Sequence, residues 1–170
     1  MLSEKLRIAG TVNDSIVDGP GIRFSIFTQG CPHHCEGCHN PHTHDFEAGK
    51  LVTLESLLDK VKSNPLLDGV TYSGGEPFCQ AKQLYLLGNE IKKLGMNIVT
   101  YTGYTFEYLT EHANSDNFYN ELLSVTDYLV DGPFELDKRN ILLRFKGSSN
   151  QRIINVNQSL IEKKVIEAEL

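Results

Sequence analysis

Cys31, Cys35 and Cys38 place three thiols within eight residues, in the run Cys31-Pro32-His33-His34-Cys35-Glu36-Gly37-Cys38-His39-Asn40, spaced C-x3-C-x2-C. Thiolates that close together on one loop can converge on one metal centre. A structural zinc site or an ordinary iron–sulfur cluster takes four protein ligands, so a compact set of three leaves one coordination position open. At a catalytic metal that position is where a substrate binds. Five of the six histidines (His33, His34, His39, His42 and His44) sit at or near this loop, so a zinc site completed by a histidine is an alternative that the spacing permits. A disulfide framework fits less well, because Cys79 is the one remaining cysteine and leaves no tidy pairing.

The second stretch with chemical content is Ser73-Gly74-Gly75-Glu76-Pro77. Gly74 and Gly75 leave main-chain groups unshielded by side chains, so a ligand with an amino-acid head group could be held there by backbone hydrogen bonds. Glu76 adds a carboxylate, and Pro77 suits the first turn of a helix. Taken alone, a Gly-Gly pair is as readily an ordinary tight turn.

The elements that must position these residues can be read from periodicity. Leu6 to Val12 and Ile22 to Thr28 read as strands, separated by the turn Asp18-Gly19-Pro20-Gly21, and the cysteine loop then runs as polar sequence to about Lys50. Thr53 caps a helix marked by Leu54, Leu57, Leu58 and Val61 that stops at Asn64-Pro65. Leu67 to Tyr72 is a strand ending in the Gly-Gly turn. Leu84, Leu87, Ile91 and Leu94 mark a helix closed by Gly95, and Asn97 to Tyr101 is the next strand. A helical stretch to about Leu123, broken near Asn114-Ser115, precedes a strand from Tyr128 to Val130. Beyond it, Leu142 to Phe145 and Arg152 to Val156 read as short strands and Ser159 to Glu169 as a charged helix.

This βαβαβαβ alternation predicts an α/β fold with a mostly parallel sheet. The cysteine loop, the Gly-Gly-Glu-Pro turn, Thr102-Gly103-Tyr104 and Asp131-Gly132-Pro133 all follow predicted strands. They therefore gather at the carboxyl edge of the sheet, where α/β folds bind ligands. At 170 residues the chain reads as a single domain, 1–170, too short for a complete eight-stranded βα barrel. A formal charge of −6 with scattered lysine and arginine argues against a nucleic-acid groove or an anionic membrane surface as the main partner. No apolar run is long enough to span a bilayer, so a cytoplasmic location is expected, where thiols stay reduced.

Taken together, the C-x3-C-x2-C loop after the first barrel strand and Gly-Gly-Glu-Pro at the end of the next resemble the radical S-adenosylmethionine enzymes. The resemblance implies an incomplete TIM-type βα barrel, with Cys31, Cys35 and Cys38 binding three irons of a [4Fe-4S] cluster and S-adenosylmethionine chelating the fourth. It also implies that Gly74, Gly75 and Glu76 hold the methionyl amino group and that Gly37 and His39 lie near the adenine. Within that superfamily, Asp18-Gly19-Pro20-Gly21-Ile22-Arg23 and Cys38-His39-Asn40-Pro41 resemble the glycyl-radical enzyme activases, and the stretch from Asp131-Gly132-Pro133-Phe134 through Lys138-Arg139 to Gly147-Ser148-Ser149-Asn150-Gln151-Arg152 resembles those that serve anaerobic ribonucleoside-triphosphate reductase.

The implied partners are that reductase and a flavodoxin-like electron donor. Gly37 departs from the aromatic residue many radical enzymes carry before the third cysteine. Cys79 is expected to be a small buried side chain, His112 a surface residue, and Arg23 or the Gly147 to Asn150 loop a docking element for the reductase. Two rival readings share some of these features: a small 7-carboxy-7-deazaguanine synthase type of enzyme, and a non-enzymatic zinc-binding adaptor.

Overall fold

Periodicity and capping account for the helices. The computed structural model describes residues 1–170. Helix α1, Leu54–Lys62, starts where Thr53 Oγ1 accepts the Ser56 N–H, and it buries Leu54, Leu57, Leu58 and Val61 along one stripe. Burying each such side chain contributes roughly 1.5–3 kcal/mol, which outweighs the low intrinsic stability of so short a helix. Helix α2, Ala81–Lys93, buries Leu84, Leu87 and Ile91 in the same manner and ends before Gly95. The predicted break near Asn114-Ser115 separates α3, Phe106–His112, from α4, Tyr119–Val125.

The strands are β1 (Lys5–Ser15), β2 (Arg23–Thr28), β3 (Lys50–Thr53), β4 (Gly69–Gly74), β5 (Asn97–Tyr101), β6 (Tyr128–Asp131) and β7 (Arg152–Asn155). They form one sheet in the order β3-β1-β2-β4-β5-β6-β7. The central four, β2, β4, β5 and β6, run parallel, and the strands outside them pair antiparallel. The sheet does not close on itself, so the α/β class and the incomplete barrel are as the sequence implied. No helix is long and apolar enough to cross a membrane.

The two faces of the sheet differ in chemistry because side chains alternate along each strand. Phe24, Ile26, Val70, Tyr72, Ile98 and Leu129 join the helices in one apolar core cluster. The intervening positions Arg23, Ser25 and Thr71 are equally buried yet polar, and the Asp18 to Gly21 turn folds over them. Asp18 accepts from Ser25 Oγ at 3.0 Å through its carboxylate and from Thr71 Oγ1 at 2.9 Å through its carbonyl.

Four expectations change. Leu142 to Phe145 is not a strand: Leu142 is 88% exposed and the segment has no pairing partner. The last helix, α5, is Val156–Glu162, because Asn155 caps it by accepting the Gln158 N–H. Cys79 is exposed, since the residues Pro77–Gln80 form a short 3-10 turn that directs it outward. Arg23 is fully buried, donating to Thr71 Oγ1, Pro20 O, Val70 O and Asn97 O, and so presents nothing to a partner.

Candidate metal centre

The carboxyl ends of the parallel strands converge on one cleft of about 340 Å³. Its wall includes Cys31, Cys35, Cys38, His39, Gly74 and Gly75, so six of the eight residues singled out in the sequence face one space. Gly37 is exposed and lies against Leu136, and the Glu76 side chain is buried, hydrogen-bonded to His33, Thr102 and Gly103, all three of which line the cleft. All four cysteines are free thiols.

The cysteine loop is held at both ends by the backbone. Gly30 and Cys31 donate to the carbonyls of Thr43 and His44, and Gln29 Nε2 donates to the carbonyls of His42 and Asp45. The Gly-Gly turn packs directly beneath it: Gly75 N–H donates to Thr28 O at 2.7 Å and Glu76 N–H to Gly30 O at 2.8 Å. A Cβ at Gly75 would lie 2.4 Å from Gly30 O, so this backbone approach is closed to any larger residue.

Burial pushes the Cys31 thiol up to about 11, and the neighbouring Glu76, Cys35 and Cys38 add to the shift. A cationic centre would reverse that penalty by stabilising the thiolate. His44, which also lines the cleft, keeps a buried Nε2 with no hydrogen-bond partner in the chain. Three thiols and this unpaired ring nitrogen thus line one cleft, although no three His, Cys, Asp or Glu side chains are drawn together as the ligands of a single ion. The donor set fits an iron–sulfur group held by three thiolates.

Sequence reasoning missed several cleft residues. Tyr101 forms part of the wall, and its hydroxyl donates to Phe145 O at 2.7 Å. Gly147 and Gln151 line the far side, where Gln151 Oε1 accepts from Gly147 N and its Nε2 donates to Gly132 O. Phe134 also lines the cleft and meets the edge of the His39 ring at 5.1 Å between centroids. The position of Asp131-Gly132-Pro133-Phe134 after a strand was the signal available for the last group. Tyr101 carried none beyond its place at a strand end.

A second polar cluster braces this far wall. Arg152 donates to both Asp131 oxygens, at 3.0 and 2.6 Å, and to both Glu107 oxygens, at 3.1 and 2.6 Å. Asp131 Oδ2 also accepts the Phe106 N–H at the start of α3. This guanidinium holds Glu107 below the usual carboxylate range.

Residues 17–154 match the family described as a 4Fe-4S single cluster domain. The anaerobic ribonucleoside-triphosphate reductase-activating protein of Pasteurella multocida (strain Pm70) is 32% identical over 152 residues, covering 84% of this chain and 93% of that protein. The pyruvate formate-lyase 1-activating enzyme of Escherichia coli (strain K12) is 37% identical over 157 residues, covering 88% of this chain but 60% of that enzyme. Among solved structures, QueE from Escherichia coli aligns with a TM-score of 0.47 at 22% identity, over 59% of this chain and 54% of that one.

Proposed function

This chain belongs to the family of anaerobic ribonucleoside-triphosphate reductase-activating proteins, and from that premise we propose that it cleaves S-adenosylmethionine reductively and places a glycyl radical on such a reductase. The observation that supports the reading is the meeting of three free thiols and the Gly74-Gly75 turn on one cleft.

Cys31, Cys35 and Cys38 would each hold one iron of a [4Fe-4S] cluster, leaving the fourth iron for the amino and carboxylate groups of S-adenosylmethionine. Bound and reduced there, such a group would supply one electron for cleavage of the C5′–S bond, giving methionine and a 5′-deoxyadenosyl radical able to take hydrogen from a glycine α-carbon. The chain's own part is to hold and orient. The Gly74-Gly75 backbone lies at the cleft wall, where an ammonium head group can reach main-chain oxygens. Glu76 would not contact the ligand directly, because its carboxylate is buried, so its effect passes through the turn it anchors.

The cleft is open rather than enclosed, which suits a macromolecular substrate. A flavodoxin-like protein is the proposed source of the electron, and the cytoplasm the proposed location.

The test is anaerobic reconstitution, followed by mixing with the reductase, S-adenosylmethionine and a one-electron reductant. About four iron and four sulfide per chain are expected, with a glycyl doublet by spin resonance on the reductase. One zinc and no iron, or methionine formation without a partner radical, would refute the assignment. Running pyruvate formate-lyase in parallel decides which glycyl-radical protein is the substrate.

A further inference from the structure

The Glu76 carboxylate is completely buried and lies where four segments meet. Its Oε1 accepts from His33 Nε2 at 2.6 Å, Gly103 N at 2.8 Å and Thr102 Oγ1 at 2.9 Å, and its Oε2 faces Phe78 N at 3.0 Å and Thr102 Oγ1 at 2.9 Å. The other groups facing it are N–H or O–H groups, so the network assigns the hydrogen to His33 Nε2, with the ring as donor. A buried carboxylate so fully occupied has no lone pair to spare for a ligand, and removing any one donor leaves part of a buried charge unsatisfied.

His33 is the one member of this network that comes from the cysteine loop, midway between Cys31 and Cys35. Its ring meets Tyr104 edge-on at 4.5 Å between centroids. It sits so close to the β5 end that a Cβ on Gly103 would lie 2.4 Å from its Cδ2. Glu76 directly follows the Gly-Gly turn. A side-chain hydrogen bond between residues 43 positions apart therefore ties the loop that carries the thiols to the turn packed beneath it, in addition to the backbone bond from Glu76 N to Gly30 O at the loop's base.

We propose that His33 is a positioning residue that latches the cysteine loop to the ends of β4 and β5 through Glu76, fixing the spacing between the three thiols and the Gly74-Gly75 turn before any cofactor binds. This rests on the proposed function for its purpose, since that spacing is what sets a bound sulfonium against a cluster. The latch itself is a property of the metal-free chain.

The experiment compares His33→Gln, His33→Phe and His33→Ala in the full chain. Hydrogen exchange of residues 32–40 is followed in metal-free protein, with the β4 and β5 amides as an internal record of folding. Gln can still donate to Glu76, so exchange within about twofold of wild type is expected. Phe keeps the ring without a donor and Ala removes both, so at least tenfold faster exchange confined to the loop is expected for each.

After cluster loading, the same two variants should bind S-adenosylmethionine at least tenfold more weakly, read from the change it causes in the spin-resonance signal of the reduced cluster, while His33→Gln binds as wild type. Wild-type behaviour of His33→Phe would reduce the residue to packing and overturn the latch. Acceleration spread equally over β4 and β5 would make it a general stabiliser and overturn it too. The exchange arm needs neither cluster nor S-adenosylmethionine, so failure of the latch and failure of the proposed function give separate results.

Discussion

Leu136 occupies the space that a side chain at Gly37 would need: a Cβ built on Gly37 lies 2.7 Å from Leu136 Cδ1. Gly37 also has φ +74°, a left-handed conformation. The Leu136 methyl is the mobile end of a half-exposed side chain and can move aside, so the backbone sets the penalty. We expect Gly37→Ala to cost about 1–2 kcal/mol, while Leu136→Ala changes stability by less than about 1 kcal/mol. Urea unfolding of the two variants checks the ranking.

Cysteine substitutions should divide sharply. Cys31→Ser, Cys35→Ser and Cys38→Ser are each expected to lose most of the reconstituted iron and all S-adenosylmethionine cleavage. Cys79→Ser, at an exposed position outside the cleft wall, should keep both. Iron and sulfide analysis with a methionine assay reads this directly, and equal loss in all four would overturn the ligand assignment.

Arg23 should behave as a structural cation. Burial lowers its guanidinium to about 10, and its partners are one hydroxyl and three backbone carbonyls. Arg23→Ala leaves those carbonyls without a donor in a dry site, and a loss of about 3 kcal/mol or more is expected. A denaturation midpoint unchanged from wild type, together with weakened reductase binding, would return Arg23 to a docking role.

The Arg152 cluster gives a pH signature. Glu107 is held below its ordinary value of 4.5, so its contribution to stability is present above that value and fades as pH falls through the lower folded one. Arg152→Gln also strands the buried Asp131 carboxylate, which sets an expected cost of about 3 kcal/mol at pH 7. Urea midpoints at pH 7, 5 and 3 should show the gap between wild type and variant closing toward acid. A gap that stays constant would contradict the ion-pair account.

Most of the scaffold was legible because its signals are local. The stripe of Leu54, Leu57, Leu58 and Val61 with Thr53 ahead of it marked α1, and Asn97–Tyr101 emerged as a strand with its bounds intact. Where pairing or burial depends on distant sequence, the local signal misled. β3 exists because Lys50–Thr53 lies alongside the first residues of β1, and nothing within its four residues says so. Leu142 to Phe145 has the composition of a strand but no neighbour to pair with. Arg23, read from its charge, looked like surface.

The candidate site divides along the same line. Topology alone brought the cysteine loop and the Gly-Gly turn to one edge. Leu136 against Gly37 and His33 on Glu76 join positions far apart in the chain, and such contacts leave no periodic mark in a sequence. The role of Glu76 shows the limit most clearly, since a carboxylate beside two glycines invites a ligand yet is consumed within the protein.

β7 runs opposite in direction to β6, and the loop that leads into it brings Gly147 and Gln151 to the cleft. This reversed polarity lets a four-residue strand furnish a flank that another βα repeat would otherwise have to provide. A further parallel repeat added beside β6 would have to evict β7 from that edge and find another source for the flank.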